Sequence, residues 1–571
     1  MRKSRKPPKP FGTTAVSIPD PSVWDNTRAF FINLMLVAAA ALLFALMFPN
    51  PIFAKGLPFL AWIAYVPIFA LIKRVSLAAS PLWGALYGYA SYTLFNYWLS
   101  SFHPLAGIIV GIIYSVFLAA VFFFFKLADT LFPRRGYIVQ WLIWLAYEYL
   151  RTLGFLGYSY GITGYSQWSV LPVIQIASIF GVWGVSALTV FPSAWLGAAL
   201  GKNLRFFSRK IRFRENFYRG GFGGKVAASF RAEKIPAFVW TAALAAALVY
   251  GFAAPSDFSD YPHVNIALIQ HNTDPWRGGL EQYRNNFYTL RRLSDEALAS
   301  EPRPDMVVWS ETAFVPSIYW HERFRADQDS WLLVRDLLNY LARQEVPFVI
   351  GGNDARRDPS RNPNPFENHR VNYNAALLFE NGQITGVYRK IHLVPFTEHF
   401  PYARIFPRIY RWLRAADTHF WERGTEKTVF SGPGFYFSTP ICFEDTFGYL
   451  SRDFVRNGAD VLVNLSNDAW ANSLSAQNQH LTMAVFRSVE NRRSTVRATS
   501  SGQTCGIAPN GRIIAMAEPF TEAFLTVAIP VKKGNTTIYT RFGDFLGVFF
   551  TVAAVTALVA GGVIALIKLR Q

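Results

Sequence analysis

Long apolar runs alternate with short basic loops over the first half of the chain, and one more apolar run closes it. About 20 consecutive apolar residues suffice for a helix to cross the hydrocarbon core of a bilayer. The pattern therefore predicts eight membrane-spanning helices. They are placed at Phe30–Phe48, Lys55–Ile72, Leu82–Leu99, Leu105–Phe125, Tyr137–Leu153, Ile174–Leu200, Pro236–Ala253 and Phe545–Ile567.

Two parts of this membrane region rest on weaker patterns. The fifth predicted helix contains Glu148, so a partly buried helix beside an interfacial loop is the alternative for it. Residues 1–29 are basic and Pro-rich and are expected to form a disordered cytoplasmic tail. No small-residue cleavage site closely follows the first apolar run, which favours a retained span over a signal peptide.

The distribution of lysine and arginine predicts the orientation, because cytoplasmic loops carry an excess of positive charge. With the N-terminus inside, the cytoplasmic side holds most of the loop cations, and the outer loops hold little beyond Lys55 and Arg151. The cytoplasmic cations are Lys73 and Arg74, Lys126, Arg134 and Arg135, the run Lys202–Lys234, and Lys568 and Arg570. This predicts a membrane domain of seven spans over residues 30–254. A large domain outside the cytoplasm then occupies residues 255–543, and an eighth span with a cytoplasmic tail occupies 544–571.

Between Pro255 and Asp544, short segments typical of strands alternate with helical patterns, which predicts an α/β domain. Two Asn-Gly pairs, at Asn381-Gly382 and Asn510-Gly511, lie between predicted strands and indicate tight β-hairpins. The predicted strands are Val264–Gln270, Met306–Trp309, Phe348–Gly351, Ala375–Phe379, Gly386–Arg389, Phe437–Ile441, Val461–Leu465, Thr504–Ala508 and Ile513–Met516. The predicted helices are Gln282–Ala299, Ser330–Arg343 and Thr446–Asn457.

Composition agrees with a membrane protein that has a sizeable soluble part. Of 571 residues, 51% are hydrophobic and 16% are charged, whereas soluble domains average about 25% charged residues. The net charge of +19 could suggest nucleic acid. Its concentration beside apolar segments instead fits a membrane surface, so no nucleic-acid partner is expected.

The chain has two cysteines, Cys442 and Cys505, which excludes a disulfide-rich scaffold and a structural zinc cluster. A single disulfide stays open at this point, and Cys505 is expected to be a buried thiol. No metal-binding histidine pair or glycine-rich phosphate loop is present, so neither a metal nor a cofactor is expected. His392 and His399 are interpreted as structural or substrate-facing residues.

Three residues of catalytic type follow predicted strands: Glu311, Lys390 and Cys442. Ligands collect at such strand ends in α/β sheets. A thiol can be the nucleophile of acyl transfer, a nearby ammonium favours the thiolate, and a carboxylate can move the proton. A developing oxyanion needs donors, for which Lys390 and a backbone N–H beyond Cys442 are candidates. Taken singly, each of these residues is more often structural.

The order of Glu311, Lys390 and Cys442 along the chain resembles that of the Glu-Lys-Cys triad shared by the nitrilase superfamily. More closely, the sequence resembles the apolipoprotein N-acyltransferases. The resemblance covers nearly the whole chain beyond residue 30. The segments that carry it are Val308-Trp-Ser-Glu-Thr312, Tyr388-Arg-Lys-Ile-His-Leu-Val-Pro-Phe396, Glu398 with Pro401, Ile441-Cys-Phe-Glu444 and Leu465-Ser-Asn-Asp-Ala-Trp470.

The resemblance implies an αββα sandwich beside a multi-pass membrane domain, and a ping-pong reaction. A phospholipid would donate its acyl chain to Cys442, and the α-amino group of a diacylated lipoprotein would accept it. Glu311 would be the base and Lys390 the oxyanion stabiliser. The implied location is a bacterial inner membrane, with the catalytic domain on the periplasmic side of a protein that acts as a monomer. Supporting or substrate-binding roles are implied for Glu398, Glu444, Trp276, Phe443 and Asn467.

Several positions depart from the family pattern without removing Glu311, Lys390 or Cys442. They are Ser310 in place of proline, Thr397 in place of glycine, Phe443 in place of tyrosine, and Ala471-Asn472 in place of Phe-Gly. Two other functions compete with acyl transfer: a membrane-tethered amidase of the same superfamily, and a non-catalytic membrane scaffold. The three catalytic-type residues argue against the scaffold, and the predicted spans argue against a plain amidase.

A segment rich in aromatic residues and arginines follows Lys390. Its aromatic residues could belong to a core, or they could form a loop at the lipid interface, a depth that suits both residue types. They are Phe396, Phe400, Tyr402, Phe406, Tyr410 and Trp412, and they alternate with Arg404, Arg408, Arg411 and Arg414.

Overall fold

The computed structural model describes residues 21–101, 103–208, 233–274, 278–358, 370–415 and 420–571. Within these ranges, five helices are long and apolar enough to cross a membrane. They correspond to the first, fourth, sixth, seventh and eighth predicted spans, and they identify a membrane protein. These spans are Asn26–Met47, Ala106–Leu131, Ala177–Gly201, Lys234–Ala253 and Phe545–Arg570.

The other three predicted spans form shorter helices. Lys55–Ile72 divides into a 3₁₀ turn at Pro58–Trp62 and a nine-residue helix at Val66–Arg74, each with proline in its first turn. The third and fifth become Ser80–Phe95 and Gly136–Leu150, of 16 and 15 residues. At 1.5 Å per residue, 15 residues rise about 22 Å, short of a hydrocarbon core of about 30 Å. The eight spans predicted from hydrophobicity are therefore five long helices and three short ones.

Close helix packing holds the short helix Ser80–Phe95 against Ala106–Leu131. A Cβ added to Gly84 would lie 2.3 Å from the Leu118 carbonyl oxygen, and one added to Gly88 would lie 2.4 Å from that of Tyr114. Small residues four apart allow two backbones to approach in this way.

Two of the lysines assigned to cytoplasmic loops lie in buried ion pairs and are not free in a loop. Lys73 and Lys126 are buried, and both pair with the carboxylate of Asp129. Lys126 Nζ lies 3.0 Å from Asp129 Oδ2. Since these lysines neutralise an internal carboxylate, their charge is not free loop charge.

The described part of the α/β region forms β-strands in two sheets. The strands are β1 His263–Gln270, β2 Met306–Trp309, β3 Phe348–Arg357, β4 Arg370–Glu380, β5 Gln383–Arg389, β6 Phe430–Ser431, β7 Tyr436–Ser438, β8 Val461–Ser466, β9 Ser494–Thr499, β10 Cys505–Ile507, β11 Ile513–Met516 and β12 Ala523–Pro530. Each sheet has six of them, in the orders β12-β1-β2-β3-β4-β5 and β11-β10-β9-β8-β7-β6. Strands β1 to β3 are parallel in the first sheet and β7 to β9 in the second, with antiparallel strands at the edges. Both hairpins predicted from Asn-Gly pairs are confirmed, as β4–β5 and β10–β11.

The two faces of β1 show how the sheets are layered. Ile266 and Leu268 belong to the core shared with the second sheet, whereas Ala267 and Ile269 pack with helices. Side chains alternate between the faces of a strand, so one strand can serve both layers. The result is a sandwich of two sheets with helices outside. The helices of this region are Gly279–Ala299, Ile318–Phe324, Gln328–Leu341, Pro407–Ala415, Gly448–Arg456, Leu474–Asn491 and Ile538–Phe542.

Helix Leu474–Asn491 joins the sandwich to the membrane helices, and its residues from 475 to 491 are buried except for the half-buried Asn478. Trp98 Nε1 donates to Gln479 Oε1 at 3.0 Å, and Arg487 Nη2 donates to the Tyr165 hydroxyl at 3.0 Å. The Val182 amide donates to Glu490 Oε1 at 3.1 Å. The remaining helices on the membrane side are Pro21–Met47, Leu171–Ile174 and Ala177–Ser208.

Candidate active site

Lys390 is fully buried directly after β5 and lies between two carboxylates. Its Nζ is 3.1 Å from Glu311 Oε1 and 2.9 Å from Glu398 Oε1. Burial by itself would lower the pKa of Lys390, but the two carboxylates outweigh it and raise that pKa well above its usual value. The ammonium therefore keeps its proton inside the protein.

Glu311 lies in the turn after β2, where the backbone makes close contacts. A Cβ on Gly351 of the neighbouring strand β3 would lie 2.2 Å from the Ser310 carbonyl oxygen, so only glycine fits there. The Glu311 carboxylate accepts from Asn374 Nδ2 at 2.8 Å and from the Asn467 amide at 2.9 Å. Both of its oxygens are thus held in fixed directions.

Cys442 is half-buried at the start of a 3₁₀ turn that runs to Thr446. The strand expected to lead into it ends early, at Ser438, although Ile441 still bridges Leu465. Cys442 has φ +49°, a left-handed conformation that non-glycine residues seldom adopt and that is often found at functional sites. The expected helix begins six residues later, at Gly448.

The sequence predicts that Lys390 favours the thiolate of Cys442, but the net effect of the surroundings on this thiol is the opposite. Burial and the Glu311 carboxylate raise the pKa of Cys442 well above its usual value. Lys390 acts in the expected direction and favours the thiolate, but it is outweighed. The resting group is therefore a protonated thiol, and nucleophilic attack needs a base.

Glu444 connects the Lys390 segment to the Cys442 turn. Its carboxylate accepts from the amides of Ile391 at 2.7 Å, His392 at 2.9 Å and Ile441 at 2.8 Å, and from the Tyr388 hydroxyl at 2.8 Å. Burial raises the pKa of Glu444 to about 7. This side chain fixes the two loops relative to each other.

The remaining sequence-named positions surround this centre. Glu398 Oε2 accepts from the Val394 amide at 2.8 Å, and Phe443 packs against Phe447 with ring centroids 5.0 Å apart. Asn467 accepts from the Ser500 hydroxyl at 2.6 Å. Trp276 lies outside the described residues.

The departures from the family pattern are accommodated locally. Ser310 is fully buried, with its hydroxyl 3.5 Å from His271 Nδ1. Thr397 donates to the Val394 carbonyl at 3.5 Å. Ala471 ends a short 3₁₀ turn, and Asn472 follows it at φ +40°.

Cys505 and His392 have structural environments. Cys505 is fully buried in β10, and burial raises its thiol pKa to about 12. The prediction of a buried thiol is confirmed, and both cysteines are free. The His392 ring packs at 3.8 Å on Phe447 and contacts the Tyr449 hydroxyl at 3.0 Å.

The segment rich in aromatics and arginines forms an exposed loop and a short helix. Phe400 and Leu413 are buried, whereas Ile405 and Trp412 are 68% and 55% exposed. The exposed apolar residues are Tyr402, Ile405, Phe406, Ile409 and Trp412. Of the two interpretations, the interface loop agrees better with these exposures.

Sequence reasoning missed Asn374 and a second buried charge cluster. The β4–β5 hairpin could have revealed Asn374, because its register places residue 374 opposite Lys390. The second cluster joins Asp445, Asp468, His480 and Arg497. Only Asp468 of these four lay within a recognised motif, and nothing local marks its partners.

Two family models match the chain. The carbon-nitrogen hydrolase model matches residues 265–539, and the apolipoprotein N-acyltransferase N-terminal domain model matches residues 40–195. The first contains all of the candidate active site, and the second falls on the membrane helices.

Full-length relatives agree with both models. Apolipoprotein N-acyltransferase 1 of Treponema denticola is 45% identical over 92% of this chain and 95% of its own length. Its namesake in Treponema pallidum is 46% identical over 94% and 97%. Apolipoprotein N-acyltransferase 2 of Treponema denticola is 29% identical over 90% and 95%. At these identities and coverages, the chain belongs to the apolipoprotein N-acyltransferase family.

Proposed function

We propose that this protein transfers an acyl chain from a phospholipid to the α-amino group of the N-terminal diacylglyceryl-cysteine of lipoproteins. The reaction proceeds in two halves through a thioester on Cys442. The observation that supports it is a buried ammonium shared by two carboxylates, with the Cys442 thiol within the electrostatic reach of Glu311 and Lys390. This set supplies a nucleophile, a base and a fixed positive charge.

In the first half, Glu311 takes the proton of the Cys442 thiol while sulfur attacks the ester carbonyl of the phospholipid. Lys390 and a backbone N–H beyond Cys442 stabilise the oxyanion. The C–O bond then breaks, and Glu311 returns the proton to the departing lysophospholipid oxygen. The products are an acyl thioester on Cys442 and a lysophospholipid.

In the second half, the lipoprotein amine attacks the thioester. Glu311 accepts a proton from the attacking nitrogen. The C–S bond breaks, and the proton passes to the sulfur, which restores the thiol. An amide forms in place of the thioester, so no other reactant is needed.

The membrane helices and the exposed aromatic loop support this function, because donor and acceptor are both anchored in lipid. The loop carries arginines beside apolar side chains, a composition suited to the headgroup depth. We place residues 30–254 and 544–571 in a bacterial inner membrane and residues 255–543 on its periplasmic side. The protein acts as a monomer.

Mass spectrometry of the purified protein with phospholipid tests the thioester. We expect an acyl adduct on Cys442 that disappears when a diacylated lipopeptide is added. Cys442→Ala should abolish adduct and transfer, while Cys505→Ala, the matched control, should leave transfer largely intact. Equal loss in both variants would contradict the proposal, and release of free fatty acid without transfer would indicate an amidase.

A reporter that is active only outside the cytoplasm tests the orientation. Fused near Asn381, in the turn between β4 and β5, it should be active. Fused within Arg205–Arg219 it should be inactive, because that stretch is rich in arginine and lysine. The reverse result would place the site away from lipoprotein substrates.

A further inference from the structure

A second polar site lies at the junction of the membrane helices and the sandwich. A cavity of about 180 Å³ occurs where helix Lys234–Ala253 ends. The helix and the segment after it supply an apolar wall, and the sandwich supplies two cations. The lining residues that matter here are Tyr250, Ala253, Pro255, Phe258, Arg492 and Lys532.

The cations at this cavity form no salt bridge within the described residues, and Asp460, a carboxylate that acts on Arg493 through its charge, balances at most one of the three. Arg492 is buried, and its guanidinium donates only to neutral groups, to Gln175 Oε1 at 2.5 Å and to Ser178 Oγ at 3.5 Å. Its neighbour Arg493 is 3% exposed, and its Nε has no hydrogen-bond partner. Within the part of the chain that the structure describes, no carboxylate oxygen lies within 4.0 Å of Arg492, Arg493 or Lys532.

Other buried arginines of the sandwich are neutralised. Arg487 lies 3.0 Å from Glu490 Oε2, and Arg497 pairs with Asp445 and Asp468. Burying a charge without a partner is costly. The group around Arg492 therefore has a charge that an anion from outside the chain can balance.

The pKa of Lys532 also indicates that positive charge is concentrated at this cavity. Burial lowers the pKa of this half-buried lysine, and the positive charges of Arg493 and Arg492 lower it further. An anion placed among the three groups would reverse that effect.

The cavity also lies at the end of an apolar span, where lipid headgroups are expected. Helix Lys234–Ala253 is the least buried of the five long helices, with 6% of its apolar window buried, and Val249 and Phe252 are exposed near its end. The Tyr250 hydroxyl lies 2.8 Å from Ser178 Oγ, and this links the end of the helix to the Arg492 group. Tyrosine at the end of an apolar span is typical of the membrane interface.

We propose that this cavity binds the phosphate of a phospholipid whose acyl chains lie along helix Lys234–Ala253. Arginine offers paired N–H donors to phosphate oxygens, and lysine adds a point charge. The volume suits a headgroup phosphate, with the chains outside on the exposed helix. The site shares no residue with the Glu311, Lys390 and Cys442 centre, and it is assigned as a second lipid site.

Native mass spectrometry of the full chain in detergent tests this site by counting bound lipids. The Cys442→Ala background prevents consumption of a donor lipid. Phosphatidylglycerol is compared with diacylglycerol of the same chains, which lacks phosphate. Lys532→Gln is compared with Lys533→Gln, its exposed neighbour, and Lys532→Arg tests whether positive charge restores binding.

We expect one bound phosphatidylglycerol to be lost in Lys532→Gln, with about tenfold weaker binding. Lys533→Gln and Lys532→Arg should retain it, and diacylglycerol should not occupy the site. Equal loss in Lys532→Gln and Lys533→Gln would show diffuse surface charge and overturn the proposal. Displacement of the lipid by millimolar inorganic phosphate would identify a free-anion site and would also overturn it.

Discussion

Two of the buried charge clusters among the described residues of the sandwich differ in charge balance. The lysine cluster is Glu311, Lys390 and Glu398, two carboxylates around one ammonium. The histidine cluster is Asp445, Asp468, His480 and Arg497, where Asp445 bonds to His480 Nε2 at 2.8 Å and Asp468 to its Nδ1 at 3.1 Å. Burial lowers the pKa of His480, but the two aspartates outweigh it and raise that pKa to about 9.

The histidine cluster is neutral as a group, because a protonated His480 and Arg497 balance two carboxylates. Such a set stabilises the loops that hold it and has no group left to exchange protons. The lysine cluster has one carboxylate more than its cations, and it lies beside Cys442. Its excess negative charge suits proton transfer, so changes in this cluster should alter rate, and changes in the histidine cluster should alter stability.

The largest expected effect is a loss of acyl-transfer rate when residues of the lysine cluster are replaced. Glu311→Gln should lower transfer about 10²–10⁴-fold, the usual contribution of a positioned base. Lys390→Met should lower it about 10²–10³-fold, as for one oxyanion donor. The double variant should be little worse than either, because groups that act as a unit fail together. Transfer of a labelled acyl chain to a diacylated lipopeptide in nanodiscs measures all three.

Melting temperature and elution volume serve as controls for folding in these variants. Glu311→Gln keeps the side-chain shape and is the cleaner test, since Lys390→Met leaves two carboxylates without their cation. Near-normal transfer by Glu311→Gln would show that another carboxylate is the base, with Glu398 or Glu444 the first to examine.

A smaller, pH-dependent effect on stability is expected for His480→Gln. The usual histidine pKa is about 6.5, and in the folded protein it is raised to about 9. The charged imidazole therefore stabilises the folded state fully below pH about 6.5, and this contribution is lost as pH rises towards 9. A shift of this size corresponds to about 3 kcal/mol.

Thermal unfolding in detergent at several pH values measures that contribution. Wild type should melt well above His480→Gln at pH 6, and the gap should close by about pH 9. Parallel melting curves across this range would contradict the charge assignment of the histidine cluster. Transfer rates corrected for the folded fraction should change much less than in Glu311→Gln.

The smallest effect is expected for Tyr388→Phe, which removes one of four donors to Glu444. A hydrogen bond to a charged group contributes about 1.5–3 kcal/mol, and the three amides still hold the carboxylate. Melting temperature should fall by a few degrees and the transfer rate by less than tenfold. Tyr436→Phe, at a 55% exposed position, is the matched control and should change neither.

Local sequence patterns predicted the sandwich well. A short apolar run marked β1, and the Asn381-Gly382 turn fixed a hairpin register that pairs Ala375 with Arg389. A tight turn and a short apolar run act over a few residues, so a linear sequence contains them.

The membrane region was predicted less well. Hydrophobicity alone merged the turn at Pro58–Trp62 with the short helix Val66–Arg74, although Pro58 and Pro67 begin separate helical pieces. Lys73 was counted as loop charge, but it is buried against Asp129, 56 residues away in sequence. Hydropathy depends on residue type alone. It therefore does not show where a helix breaks or which residue, distant in sequence, pairs with a charged side chain.

The sequence by itself determined which chemical groups end the strands: a carboxylate at Glu311, an ammonium at Lys390 and a thiol at Cys442. Only the tertiary structure decided the protonation states and the charge balance of these groups. It brought Lys390 to a carboxylate 79 residues away, and it placed the half-buried thiol where desolvation and Glu311 raise its pKa. It also left the lysine cluster unbalanced while the histidine cluster is neutral. Protonation depends on desolvation and on Coulomb energy, and both follow distances through space, which residue order does not specify.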